Sequence, residues 1–385
     1  MSTIRRVTLT KFEFPMTNVG PAANGFDNVY KRDYQGKGVQ QIVTIETDDG
    51  VRGEYMGGTT LMASQLHYLA PHLIGANAFQ REFLHDEFKR ALRKYDKMGV
   101  GPIDNCLWDW AGKKLGCSVS QLLGAHKTRI KAYASTYHGD DDGGLTTAQD
   151  FVDFAEHCYG LGYRAFKAHG WTEGDAAREV EMILLLGRTL GGRMALMHDS
   201  ACHLKTFSDA VLVGRACDEA GFLWYEDPYR DTGISAAGHR KLRQLIKTPL
   251  LIGEHVRGLE AKADFILAEG TDLVRVNPDY DMGITGAVKV AHLAESMGLD
   301  VEVHSGGPAH RHCVAAFRNT NYYELGLVGP KCGSNKPEVY RCGYTDALES
   351  VGQDGCLEVP KGLGLGVEYD WEKINSGKIE EFVYE

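Results

Sequence analysis

Short apolar runs, each ending in a polar or ionisable residue, recur at nearly constant spacing from about residue 130 onward. They read IKAYAST (130–136), AFKAH (165–169), MALMHDS (194–200), FLWYED (222–227), PLLIGEH (249–255), LVRVN (273–277) and DVEVHS (300–305). The polar residues Asp199, Glu226, Glu254, Asn277 and His304 stand 27, 28, 23 and 27 residues apart. One strand–helix unit takes about that length, and amphipathic helical stretches fill the intervals at 148–161, 175–190, 206–220 and 286–297. Successive units of this kind build a parallel sheet. A closed barrel brings every strand C-terminus to one mouth, whereas an open doubly wound sheet spreads them along an edge. The repeated polar ending favours the barrel.

The first 125 or so residues have another rhythm. Arg5–Phe14 and Val39–Thr47 alternate as strands, Asp48-Asp49-Gly50 signals a hairpin turn, and Val51–Tyr55 is the returning strand. A polar loop is expected over Thr17–Gly38. Helical patterns follow at 63–74, 81–97 and 102–115. This is an α+β module placed before the barrel.

The formal net charge is −10 and no long basic run exists, which argues against a nucleic-acid-binding surface. The nine cysteines are scattered without a CxxC, the usage of a reduced compartment. The N-terminus carries no apolar stretch of signal or membrane-span length. A cytoplasmic protein without membrane attachment is expected.

Asp199, Glu226 and Glu254 end three consecutive strands. Taken singly, each could merely cap the next helix. Three in phase would converge and repel one another unless a cation sits among them. Oxygen ligands without thiolates select Mg²⁺. Such an ion suits removal of a proton alpha to a carboxylate, because it stabilises the charge of the resulting enediolate. Lys167 and His169 alternate on one strand and face the same side, offering a cation and a base. His304 could serve the opposite face of the reacting carbon.

Several stretches together resemble the enolase superfamily, mandelate racemase-like subgroup, which includes acid-sugar dehydratases. They are PIDNCLWDWAGKKLGCSVSQLLG (102–124), KAH (167–169), HDS (198–200), YEDP (225–228), GEH (253–255), MGITGAVKVAHLAESMG (282–298), EVHSGG (302–307) and DGCLEVPKGLGLGVEYDW (354–371). The resemblance covers almost the whole chain. It implies an α/β fold: an α+β capping domain (1–128), a modified TIM barrel of (β/α)7β form (129–352) and a C-terminal segment returning to the capping domain (353–385). It implies Mg²⁺ on Asp199, Glu226 and Glu254, and Lys167 on the substrate carboxylate. His169 and His304 would be the base and its counterpart on the two faces. Glu324 would be the eighth-strand acid that hydrogen-bonds the substrate, and His255 a substrate contact. It also implies a homo-oligomer, with no stripe that sets its size.

Two departures from the subgroup carry information. His169 replaces the second lysine of the usual Lys-x-Lys; histidine is shorter and less basic, and a cation at Lys167 favours its neutral form. The strand-six aspartate that orients the strand-seven histidine is displaced, so either Asn277 or Asp279 partners His304. Counting back from Gly283-Ile284-Thr285-Gly286 favours Asn277. Without a carboxylate partner His304 would be a weak base, better suited to donating a proton. A racemase needs a base on each face, whereas a dehydratase needs one base and one acid.

Dehydration of a sugar acid is therefore the leading expectation, with a racemase, epimerase or cycloisomerase as the alternative and a non-catalytic metabolite binder as a third reading. Asn28, Tyr30, Lys31, Arg32 and Tyr34 lie where the capping domain would cover the mouth and are expected to contact a small polyhydroxy carboxylate.

Overall fold

The structure, a computed structural model, describes residues 2–230 and 234–385. It opens with β1 (Ile4–Pro21), β2 (Asn28–Thr47) and β3 (Arg52–Met56), followed by α1 (Ala63–Leu69), α2 (Arg81–Ala91), α3 (Val100–Leu115) and α4 (Val119–Leu122). The barrel begins with β4 (Arg129–Thr136) and α5 (Ala148–Leu161), then β5 (Ala165–His169) and α6 (Ala176–Leu190). It continues with β6 (Ala195–Asp199), α7 (Phe207–Ala220), β7 (Trp224–Glu226), α8 (Ala236–Arg243), β8 (Leu250–Ile252) and α9 (Leu259–Leu267). It ends with β9 (Leu273–Val276), α10 (Gly283–Ser296), β10 (Val301–Val303), α11 (Pro308–Ala316) and β11 (Tyr323–Val328). The tail holds β12 (Cys356–Glu358), α12 (Trp371–Ser376) and β13 (Lys378–Tyr384).

Strands β4 to β11 are parallel neighbours in chain order, and β11 pairs with β4 to close the ring. Eight strands with seven intervening helices make the (β/α)7β barrel. Its floor is apolar. Tyr133, Ala165, Met197, Trp224 and Leu251 meet in one cluster. Each of Ala165, Met197 and Trp224 lies two residues before Lys167, Asp199 or Glu226, so the alternation of each strand puts a packed layer beneath a polar one.

The polar loop expected over Thr17–Gly38 is instead mostly strand. β1 and β2 pair from Ile4 with Thr47 to Pro21 with Asn28, with a register shift between Thr17 and Val19 that bulges residues 31–34 out of the ladder, and residues 22–27 make the turn. The reason lies in the environment. β3 and β13 flank only the base of this hairpin. Beyond Phe14 the two strands pair mainly with each other, and burial returns only toward the tip, at Val19, Val29 and Tyr30, where Val29 bridges to His138, so the period-two signal fades while the ladder persists.

The capping helix α3 docks on the barrel by capping one of its helices. Thr285 donates its backbone N–H to Asp104 Oδ2 at 2.9 Å and its hydroxyl to Asp104 Oδ1 at 2.7 Å, and Ile284 N–H donates to Asn105 Oδ1 at 2.9 Å. Buried N–H groups of the first turn of α10, which have no partner within the helix, are thus satisfied by the capping helix. The approach is tight enough to require glycine: a Cβ at Gly101 would stand 2.1 Å from the Asp279 carbonyl oxygen. At the other end of the chain, β12 pairs antiparallel with β4, and β13 joins the capping sheet on β1. All nine cysteines are free. Among the described residues no helix is long and apolar enough to cross a membrane.

Candidate active site

The C-terminal ends of the barrel strands carry a web of buried charges. Lys167 Nζ contacts Asp199 Oδ2 at 3.0 Å, Glu226 Oε2 at 2.8 Å and Glu324 Oε1 at 2.9 Å. Burial opposes its charge, but the surrounding Glu226, Glu324 and Asp199 carboxylates hold the ammonium protonated well above the usual lysine range. Lys167 is therefore a fixed cation rather than a proton acceptor. Glu324 follows the converse logic. Burial pushes its carboxyl up, but Lys167 and Arg275 outweigh that and hold it well below the usual range.

Arg275, which sequence reasoning passed over, is the second cation. Its Nε donates to Glu226 Oε1 at 2.5 Å; one terminal nitrogen donates to Tyr133 Oη at 2.9 Å, Glu324 Oε2 at 3.0 Å and Glu226 Oε2 at 3.2 Å. A signal for it was available. Arg275 precedes Asn277 by two, so strand alternation turns both inward, and a buried arginine needs carboxylate partners.

Glu226, Glu254 and Asp227 bring carboxylate oxygens within 4.8 Å of one another. Asp227 was not singled out from sequence. It sits at φ 38°, in the left-handed region, directly after Glu226, and its Oδ1 is buried without a hydrogen bond among the described residues. Burial raises the Glu254 carboxyl, and the Asp227 and Asp199 charges add to this against His255. His255 lies 3.3 Å from Asp227 Oδ2; burial disfavours its charge, but Asp227 more than compensates and raises it. Asp199 turns Oδ2 toward Lys167 and His169 and accepts from Ala201 N–H on Oδ1. Asp199, Glu226, Asp227, Glu254 and Glu324 outnumber the nearby cations. An all-oxygen, electron-rich cluster with an unbonded buried carboxylate oxygen is the donor set a hard divalent cation fits.

The two histidines have unlike partners at Nδ1, a backbone carbonyl for His169 and a side-chain amide for His304. His169 Nδ1 lies 2.6 Å from the Thr136 carbonyl oxygen. A carbonyl only accepts, so Nδ1 carries a hydrogen, and Nε2 is the ring nitrogen left to exchange a proton. That nitrogen is 3.1 Å from Asp199 Oδ2. His304 differs. Asp279 N–H donates to Asn277 Oδ1 at 2.7 Å, which fixes the amide so that Asn277 Nδ2 faces His304 Nδ1 at 2.8 Å. An amide NH₂ only donates, so His304 Nδ1 accepts and Nε2 carries the hydrogen. Burial, with Arg275 and Lys167 adding to it and Glu324 opposing, holds His304 neutral well below the usual histidine range.

Of the two residues considered as the partner of His304, Asn277 makes the contact. Asp279 turns away and accepts from Tyr55 Oη at 2.5 Å, Gly58 N–H at 3.1 Å and Asn105 Nδ2 at 3.2 Å, tying the barrel to the capping domain. The residues expected to contact substrate fall along the hairpin. Tyr30 is buried, and Asn28 pairs with Pro21. Arg32 donates to the Asp142 carbonyl at 3.0 Å, and exposed Lys31 lies 5.9 Å over the Tyr34 ring. At the hairpin tip, Asp27 meets the barrel side chains His203 and His138. Beside Asn277 and Ser305 opens a cavity of about 1220 Å³, also lined by Tyr55, Lys336 and Asp346.

Residues 150–373 match the family described as enolase C-terminal domain-like, and residues 34–124 match the mandelate racemase / muconate lactonizing enzyme N-terminal domain. The chain belongs to the enolase superfamily. Within it, the match at both domains places the chain in the mandelate racemase-like group. An L-talarate/galactarate dehydratase of Salmonella typhimurium is 26% identical over 72% of this chain and 70% of that one. A D-galactarolactone cycloisomerase of Agrobacterium fabrum is 25% identical over 89% and 90%, and an N-succinyl-L-Arg/Lys racemase of Bacillus cereus is 26% identical over 69% and 71%. Among solved structures, the D-glucarate dehydratase of Agrobacterium tumefaciens complexed with magnesium superposes with a TM-score of 0.87 at 26% identity, covering 98% of this chain and 99% of that one. This enolase-superfamily enzyme thus has dehydratases, a racemase and a cycloisomerase among its relatives.

Proposed function

We propose that this enzyme dehydrates a sugar acid, removing the proton alpha to the carboxylate and eliminating the beta hydroxyl. The observation that carries this reading is the unlike partners of the two rings: the Thr136 carbonyl accepts at His169 Nδ1, whereas the Asn277 amide donates at His304 Nδ1 and leaves Nε2–H as a donor. A matched pair of bases, as racemisation needs, would present two lone pairs. Relatives that dehydrate talarate, galactarate and glucarate support a sugar acid as the substrate class.

Mg²⁺ is the cofactor in this reading, and Glu226, Glu254 and Asp199, with Asp227 beside them, are the residues that would hold it. When bound, it supplies electrostatic stabilisation to the carboxylate oxygens as the alpha carbon loses its proton. The chain's own groups do the rest. Charged Lys167 faces the substrate carboxylate. His169 Nε2 takes the alpha proton, and the imidazolium so formed is stabilised by Asp199 at 3.1 Å. His304 donates a hydrogen bond from Nε2–H to the departing hydroxide, stabilising its charge until solvent protonates it, while the Asn277 amide keeps Nδ1 an acceptor. Glu324, held by Arg275, completes the anionic frame that orients Lys167.

A panel of acid sugars with Mg²⁺ in deuterated solvent tests this. The expected product is a 2-keto-3-deoxy acid, trapped by semicarbazide. Solvent deuterium entering the alpha carbon of otherwise unchanged substrate, with no water lost, would establish the racemase or epimerase alternative instead.

Asn277→Asp supplies an independent check. The Asp279 N–H would still occupy one oxygen, and the other would accept from His304 Nδ1–H, switching Nε2 to a proton acceptor. Elimination is expected to fall by about 10²-fold, the usual worth of a positioned acid. Exchange of the alpha proton, followed by NMR, should rise relative to it. An unchanged ratio would show that the tautomer of His304 is immaterial.

A further inference from the structure

A second cluster of ligating side chains lies at the tip of the capping hairpin, outside the carboxylate web. Asp27 ends the turn between β1 and β2, His138 follows β4, and His203 follows β6. Their ligating atoms lie within 4.8 Å of one another. Asp27 Oδ2 is 2.9 Å from His203 Nε2, and Oδ1 is 3.8 Å from His138 Nε2. The two imidazoles stand edge-on, with centroids 5.3 Å apart and planes at 76°. Both rings are 5% exposed, yet His203 Nε2 has no aligned hydrogen bond among the described residues despite its closeness to Asp27. The Asp27 carboxylate thus faces both ring nitrogens at once.

The turn is pre-shaped for this. Asn24 Oδ1 accepts from the N–H groups of Phe26 and Asp27, and Asn24 Nδ2 donates to Asp27 Oδ2 at 2.7 Å, so the carboxylate is aimed before any ligand arrives.

We propose that Asp27, His138 and His203 form a second cation site, selective for a borderline transition ion such as Zn²⁺ or Co²⁺, which fastens the hairpin tip to the barrel. Two imidazoles and one carboxylate leave an open position in a tetrahedral shell and suit these ions, while Mg²⁺ prefers oxygen alone. Hardness therefore sorts the two sites. His169, whose ring centroid is 4.9 Å from that of His138, belongs to the other site: its nitrogens are committed to Thr136 and Asp199. The ion would lock residues 22–27 over the mouth one ring away from the proposed base. The site stands independently of the dehydratase reading.

The test is a Co²⁺ titration of the full-length protein held in saturating Mg²⁺, read by visible ligand-field absorption and by elemental analysis after dialysis. One equivalent of Co²⁺ should bind with the intense bands of a low-coordinate nitrogen–oxygen site, and Zn²⁺ should displace it. Asp27→Asn, His203→Asn and His138→Gln should each weaken binding by at least about 100-fold, more than the loss of an outer-shell partner. Glu226→Gln should leave it intact. Circular dichroism identifies any variant that fails to fold, and the other two then carry the test. Absence of Co²⁺ absorption under saturating Mg²⁺ would overturn the site and leave the trio as an ion-pair latch. So would a spectrum that vanishes in Glu226→Gln but survives His203→Asn.

Discussion

Glu226→Gln is expected to lower Mg²⁺-dependent turnover by about 10³-fold, the upper range for removing one preorganised electrostatic group, while the protein still folds. Glutamine keeps the shape of the side chain. It still offers an amide oxygen to Arg275 Nε, so packing beneath the site survives. What it loses is a full negative charge beside Glu254 and Asp227, where a hard cation needs it. Removing that charge also leaves Lys167 and Arg275 balanced by Asp199 and Glu324 alone, a tolerable arrangement because the web began with an excess of carboxylates. Calorimetric Mg²⁺ titration should show weakened binding in parallel with the lost rate. Wild-type turnover in this variant would remove the metal assignment, and with it the electrophile that proton abstraction requires.

Arg275→Met is expected to do the opposite: to damage the fold more than any other single change at the mouth. Arg275 is completely buried and neutralises Glu226 and Glu324 while also bonding Tyr133. Truncating one partner of a buried charge network leaves the others unpaired, at a cost of about 3–5 kcal/mol. The apparent thermal midpoint should fall by roughly 10 °C, extrapolating from domains of a few hundred residues. Arg275→Lys should recover only part of this. An ammonium restores the charge but cannot place three donors in one plane toward Glu226, Glu324 and Tyr133 at once. An unchanged melting profile for Arg275→Met would mean that Lys167 alone suffices to balance the carboxylates.

The barrel was legible because its signals are local. A strand's alternation and the length of a strand–helix unit are written in consecutive residues, so Lys167, His169, Asp199, Glu226, Glu254 and His304 could be placed at one mouth from spacing. The hairpin was less so. Between Thr17 and Gly38 the ribbon leaves the sheet, and only Val19, Val29 and Tyr30 near its tip are buried among the apolar side chains, too few and too irregular to give an apolar period to read. Arg275 hid inside a run that read as apolar, although its position two before Asn277 marked it as inward-facing. Asp227 hid for another reason: an aspartate after a glutamate at a strand end looks like the start of a loop, and only its left-handed backbone turns it toward the carboxylates.

Sequence alone determined the barrel, its capping module and the chemical types gathered at the strand ends, since these follow from periodicities that each stretch of chain carries by itself. Tertiary structure decided which histidine meets an acceptor at Nδ1 and which a donor. That choice rests on a carbonyl at Thr136 and on an amide at Asn277 oriented by the Asp279 N–H. It also decided that Asp279 serves the domain contact and that Asp27 meets His138 and His203, residues more than a hundred positions away. A hydrogen bond's direction depends on what lies opposite in space, and no run of neighbouring residues encodes it.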